Sequence, residues 1–470
     1  MTWLPSQRRC CFGCSAIFCA ALCVALPGVV AQQFQMTGTA STPRPSEAAL
    51  DALARKWEPA LFDERGTAPW EPGLTPCVTT AAGRRCAPGA LLLGGWQTGS
   101  KHLASILSAA YPNALKSLPG QACWGQWKDD EGGRRWLSEK WVAALDDPKT
   151  TLAAALSCHA TLQFYPDSAH RFHKFWSEYY WPCKKKCMDD RACARTYYEK
   201  EMWACKAAAL QTHDDLVNLP TEPPGAPFNF TTPWLVRQFY GPATPPRLLA
   251  MVRSPIDRLV HAYYGHPHYA KKYGVGAAKF GGYVAEQLDG WRKCVATFGL
   301  RRCAIHFEQL GPQPASVFFH ADQIIRGMYA PFIEDWLAAM PGALLVVRAE
   351  DLLGGDAPRR EVLRKAARHL GLPAAGLDAA ALAAKEATLK PYAELGKKGL
   401  GSSRFAGAAI SLKDRSPPEA SEPLLPETRA DLCATYAPLN RQLRDMLAAE
   451  RTSCEGAACD GFLWTGDCAV

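Results

Sequence analysis

Much of what marks the common protein classes is scarce in this chain. No internal repeat runs through its 470 residues, which excludes solenoids and propellers. Charge of one sign is in short supply too: 53 Lys+Arg stand against 45 Asp+Glu, a formal net charge of +8. That excess suits anionic partners but falls far below the density of a dedicated nucleic-acid binder, so nucleic acid is not an expected partner. Cys183, Cys187, Cys193 and Cys205 lack the paired C-x-x-C spacing of structural zinc sites and lie in a Lys-rich, helix-like stretch, so no metal site is expected. A complete G-x-x-x-x-G-K-[ST] loop is also missing, since Ser100 separates Gly99 from Lys101.

Only one long apolar run occurs, Cys10 to about Ala31, behind Arg8 and Arg9 and interrupted by Pro27. It is long enough to span a bilayer, with the positive residues holding 1–9 in the cytoplasm as a short tail and 10–31 as a signal-anchor. A cleaved signal peptide, with Val29 and Ala31 before the cut, is the alternative. Either reading sends the remaining chain into the secretory lumen. Five of the 19 cysteines lie in the apolar run, leaving an even number beyond it for an oxidising compartment. Cys77 with Cys86 and Cys294 with Cys303 are spaced for short disulfide loops. Asn229-Phe230-Thr231 is a glycosylation sequon with the same address.

What is abundant is core material: 48% of residues are hydrophobic, with 15 Trp, 15 Tyr and 18 Phe. Residues 32–75, rich in Thr, Ser, Pro and Ala, read as a stem or linker with one amphipathic piece, Glu47 to Trp57. The main domain is expected over 76–450, with a Cys-containing tail over 451–470. Apolar strands at Ala90–Gly94, Leu248–Val252 and Ala343–Val347 alternate with helical patterns at His102–Ala110, Gln323–Met340 and Arg359–Leu370, the last closed by Gly371. Such alternation predicts a parallel α/β sheet covered on both faces. Between the first two strands, Trp124, Trp127, Trp136 and Trp141 crowd a loop-rich stretch. Beyond it His170, His173, Lys174 and Lys184–Lys186 suit either a solvated helix face or a wall that meets anionic sugars.

Two strand-to-helix turns carry anion-binding chemistry. The first is Gly95-Trp96-Gln97-Thr98-Gly99-Ser100-Lys101, a glycine-rich turn whose backbone N–H groups can close on a phosphate. The second is Arg253-Ser254-Pro255, followed by Arg258, His261 and Tyr263 at helical spacing. Here a helix N-terminus and a planar guanidinium fork point at the same anion. A third basic loop, Gly396-Lys397-Lys398-Gly399, is either solvated or a cover over a bound nucleotide.

The pattern R-x-P-x-x-R-x-x-S-x-Y after an apolar strand resembles the 3′-phosphate segment of sulfotransferases that use 3′-phosphoadenosine-5′-phosphosulfate (PAPS), with His261 where that family has serine. Gly95 to Leu103 resembles the family's 5′-phosphosulfate loop. Gly327-Met328-Tyr329, Asp335-Trp336-Leu337 and Leu345 to Leu352 match its later helix, strand and acidic turn in order. Leu425 to Arg429, with Tyr436, Pro438, Asn440 and Leu443, is similar to the closing helix of Golgi carbohydrate sulfotransferases, the N-acetylgalactosamine 4-sulfate 6-O- and heparan N-sulfotransferases among them.

The resemblance implies a sulfotransferase fold, a P-loop-like parallel sheet flanked by helices and carried on an N-terminal membrane anchor. It implies transfer of a sulfuryl group from PAPS to a glycan hydroxyl in the Golgi lumen, or after secretion if the leader is cut, with no metal. Gly95, Gln97, Thr98, Gly99, Ser100 and Lys101 would meet the 5′-phosphosulfate, Arg253 and His261 the 3′-phosphate, and Lys397, Lys398 and Gly399 would close over the nucleotide. Two departures stand out. Gln97 replaces the loop cation, leaving Lys101 to stabilise the leaving phosphate. The family's K-E-x-x-[FW] gives way to Gln121-Ala122-Cys123-Trp124, leaving His102, Glu139 and His159 as candidate bases. A catalytically silent binder of anionic glycan or nucleotide, and a kinase built on the same loop, are the alternatives.

Overall fold

In the computed structural model the described residues are 45–57, most of 62–117, 152–155, 218–219, most of 228–306, most of 323–373, 377 and 424–468. An antiparallel hairpin comes first, β1 (Cys77–Thr80) with β2 (Gly83–Cys86). Its register sets Cys77 opposite Cys86, and the two form a disulfide. Cys294 and Cys303 are bonded as well, as their spacing predicts.

The main sheet is five-stranded and parallel throughout: β4 (Leu115–Ser117), β5 (Leu152–Ala155), β3 (Ala90–Gly94), β8 (Arg247–Val252) and β9 (Leu344–Arg348), in that spatial order. The two-stranded pair β6 (Asn218–Leu219) and β7 (Phe228–Asn229) stands apart from it. Alternate residues of β3, β8 and β9, namely Ala90, Leu92, Leu249, Met251, Leu345 and Val347, share one core cluster with helices on that face. The intervening Leu91, Leu93, Leu248, Ala250, Leu344 and Val346 are equally buried, so both faces are covered. That is why these strands read as continuous apolar runs rather than alternating ones.

Chain order gives the helices α1 (Glu47–Trp57), α2 (Ser100–Ala110), α3 (Thr232–Tyr240), α4 (Pro255–Gly265), α5 (Ala277–Phe298), α6 (Leu300–His306), α7 (Ala330–Ala339), α8 (Ala349–Leu353), α9 (Asp356–Leu370), α10 (Pro426–Glu450) and α11 (Thr465–Cys468). On α2, Leu103, Ile106 and Leu107 recur at helical spacing and join the cluster, as do Val362, Leu363, Ala366 and Leu370 of α9. The unpaired edge of β9 is covered by the C-terminal segment, where the Val346 N–H donates to Ser453 Oγ at 2.7 Å.

Helix α1 buries Leu50, Leu53 and Ala54, and Phe62 and Trp70 after it are buried as well. The predicted helix over 323–340 is broken into a 3-10 turn, Ile325–Gly327, and α7. Gly327 has Pro255 and Tyr436 so close that an added Cβ would lie 3.0 Å from each, and Pro331 restarts the helix because its missing N–H is harmless there. In the C-terminal segment Cys454–Cys459 and Cys433–Cys468 are disulfides, and Cys459, Phe462 and Trp464 are buried. Residues 10–31 lie outside the described residues; among those described, no helix is long and apolar enough to cross a membrane.

Candidate functional site

Sheet order locates the site before any side chain is considered. From β3 the described chain first occupies the strands on one side, β4 and β5, then crosses to the other, β8 and β9. In open parallel sheets the crevice at the carboxyl ends of strands flanking such a reversal is where ligands bind. Here it opens between β3 and β8. The pairing of Gly94 with Met251 sets the two strand ends side by side. With strands spaced about 4.8 Å and Arg253 two residues beyond the pair, the backbones of Gly94 and Arg253 are roughly 8 Å apart. Both turns expected to bind anions thus leave the sheet at one edge, on neighbouring strands.

In the first turn, Gly99 is left-handed at φ 85° and its carbonyl receives the His102 N–H at 2.9 Å, which starts α2. Gln97 is also left-handed, at φ 68°, a conformation that costs a residue with a side chain about 1–2 kcal/mol. Thr98 and Ser100 are buried. A Cβ on Gly94 would meet Ser100 Cβ at 2.7 Å, so only glycine lets the turn fold back this tightly. Lys101 occupies the first turn of α2 and His102 follows it, half-buried; the Lys101 side chain lies outside the described residues. So do Gly95, Glu139, His159, Lys397, Lys398 and Gly399.

The second turn is described in full. Ser254 caps α4, its Oγ accepting the Asp257 N–H at 3.1 Å while its carbonyl accepts the Arg258 N–H at 2.8 Å. The backbone of Arg253 is held by Tyr329, whose hydroxyl donates to the Arg253 carbonyl at 2.8 Å and accepts its N–H at 3.3 Å. Burial pushes the Tyr329 phenol up to about 12, so it stays a donor throughout the neutral range. Arg258 is fully buried, and Nη1 donates to Gln323 Oε1 at 3.1 Å while Nη2 donates to the Gln323 carbonyl.

Arg253, in the turn ahead of α4, and His261, on α4, meet. The imidazole Nδ1 lies 2.8 Å from the Asp257 carbonyl and therefore carries the proton donated there. Arg253 Nη2 lies against the same ring, 3.2 Å from Nδ1 and 3.4 Å from Nε2. Burial first, and the Arg253 charge second, hold the His261 pKa below the ordinary histidine value. In this arrangement His261 packs against the Arg253 guanidinium while its Nδ1 meets the Asp257 carbonyl.

Three carboxylates surround the same turn, and sequence reasoning missed all of them. Asp257 accepts from Arg253 Nη2 at 3.3 Å. Glu350, at the start of α8, accepts the Ser254 N–H at 2.7 Å. Asp467, on α11, accepts from the Ser254 hydroxyl. The Glu350 contact follows from β9 pairing with β8, since Val252 lies opposite Arg348 and the chains leave together. Nothing in the local sequence signals Asp467, which lies 213 residues from Ser254.

No family model and no curated protein matches the chain. Three solved chains do. One is the crystal structure of a sulfotransferase from Alicyclobacillus acidocaldarius, 14% identical to this chain, covering 77% of it and 98% of that chain, with a TM-score of 0.34.

Proposed function

We propose that the chain is a sulfotransferase that moves a sulfuryl group from PAPS to a hydroxyl of a glycan. The observation that carries this reading is the pairing of Gly94 with Met251, which brings the two anion-binding turns to adjacent strand ends at the reversal of strand order. One turn alone would suit any phosphate. Two turns about 8 Å apart suit a ligand charged at both ends, such as a nucleotide with 3′- and 5′-phosphate groups. Arg253 and Ser254 serve the 3′ end, and Thr98 to Lys101 the 5′ end, where Lys101 stands in for the missing loop cation. His261 acts through Arg253. Lys397, Lys398 and Gly399 close the site, and His102, Glu139 or His159 takes the hydroxyl proton. An anchored catalytic domain in the Golgi lumen fits the apolar run 10–31 and the disulfides.

Incubation of the full chain with labelled PAPS and mixed glycan acceptors tests the reading. Labelled glycan is the expected product. Tight binding of adenosine 3′,5′-bisphosphate without any labelled product would instead establish a silent binder, the second reading, which Gln97 in the cation's place favours. Preference for ATP over the bisphosphate would move the chain to the kinase class.

A further inference from the structure

The disulfide-stapled C-terminal turn places a carboxylate of the chain itself on the second anion-binding turn. Asp467 accepts from the Ser254 hydroxyl at the N-terminus of α4, next to Arg253, whose side chain is only 8% exposed. The contact is fixed from two further directions. Cys468, the next residue, is bonded to Cys433 on α10, and Arg429 Nη1 donates to the Asp467 carbonyl at 2.7 Å. Trp464, three residues earlier, is buried beside Phe462 and Tyr329, the residue that clamps Arg253. The turn is therefore built against the site from both sides of Asp467.

We infer that Asp467 is an internal ligand of this anion cradle, which a phosphate must displace before it can bind to Ser254 and Arg253. The inference rests on the proposed nucleotide site for its physiological occupant, but not for the contact. A tethered ligand competes at a high effective concentration, set by how closely the staple holds it in place. A dianionic phosphate also meets the repulsion of Asp467, in addition to that of Asp257 on Arg253 and of Glu350 on the Ser254 N–H, and moving Asp467 away removes its share. Burial raises the Asp467 carboxyl above its ordinary range, against the pull of the Ser254 hydrogen bond.

The test measures binding of adenosine 3′,5′-bisphosphate and of inorganic phosphate to the full chain by calorimetry. Asp467→Asn keeps an acceptor for Ser254 and removes the charge, Cys468→Ser cuts the staple, and Asp460→Asn, which faces Arg444 at the surface, serves as the control. The first two variants are expected to bind both probes about tenfold more tightly than wild type, and the control no differently. Tightening for inorganic phosphate alone upholds the internal ligand while removing the nucleotide reading. If Asp467→Asn binds both probes no more tightly than wild type, the inference is overturned. Nucleotide binding by wild type in that case leaves the proposed function standing.

Discussion

Replacing Tyr329 by phenylalanine removes one oxygen from the core and tests how Arg253 is held. That hydroxyl, on a residue only 1% exposed, makes two hydrogen bonds to the backbone of one residue, at 2.8 and 3.3 Å. Each is worth about 1 kcal/mol net, and a buried N–H and C=O that lose their partner cost somewhat more than the bonds themselves. The expected loss is therefore about 2–3 kcal/mol. Urea denaturation would show it as a lower midpoint with an unchanged slope, since the surface exposed on unfolding is the same. Affinity for adenosine 3′,5′-bisphosphate should fall with it, because the start of α4 loses its anchor. A stability change below about 0.5 kcal/mol would refute the clamp, because no rearranged contact is available to a phenyl ring there.

Three further perturbations have definite outcomes. Asp335 is 2% exposed and accepts from Arg301 Nη2 at 2.6 Å and from Thr231 at 2.8 Å; Asp335→Asn should cost about 1–3 kcal/mol in the same denaturation assay, below the usual cost of breaking a buried pair because Arg301 is partly exposed. The pKa values of His261 and His369 are both held below the ordinary value, chiefly by burial. The unfolded chain then binds more protons than the folded one as pH falls, so stability present above about pH 6.5 is lost as pH drops through that value. The raised carboxyl of Asp467 acts in the opposite sense, losing stability as pH rises above the usual carboxylate range. His261→Asn should flatten the decline between pH 7.5 and 5.5, and an unchanged slope would remove His261 as a source. Under the proposed function, Gln97→Lys, at a backbone already left-handed, should leave stability nearly unchanged and raise sulfuryl transfer roughly tenfold or more by supplying a donor toward the leaving phosphate; an unaltered rate would mean Lys101 already fills that role.

The parts of this site that are local in sequence were legible before any coordinates. Apolar runs at Ala90–Leu93, Leu248–Val252 and Leu344–Val347 read as strands because both their faces are buried, and the turns after two of them read as anion sites from Gly99, Ser254 and Pro255. Arg253 and His261 meet because the turn at Ser254-Pro255 carries the chain straight from the strand end into α4, on which His261 lies. Contacts set by distant chain were not legible. Glu350 reaches Ser254 only because β8 and β9 are neighbours, and Asp467 only because Cys433 and Cys468 are bonded. The burial of Leu50, Leu53 and Ala54 was not legible for a related reason: they make a narrow apolar stripe on a helix that meets residues far along the chain, Glu47 accepting from Arg237. Glu139, His159 and Lys397 to Gly399 lie outside the described residues, so their roles rest on the proposal alone.

The central claim is that the turns after β3 and β8 grip opposite ends of one nucleotide. Calorimetry with adenosine 3′,5′-bisphosphate and adenosine 5′-monophosphate, on wild type and Arg253→Gln, tests it most directly. One charge-assisted contact to the 3′-phosphate should favour the bisphosphate by about 10- to 100-fold in wild type, and Arg253→Gln should erase that preference while leaving the monophosphate affinity unchanged. Equal affinities of wild type for the two nucleotides would contradict the claim.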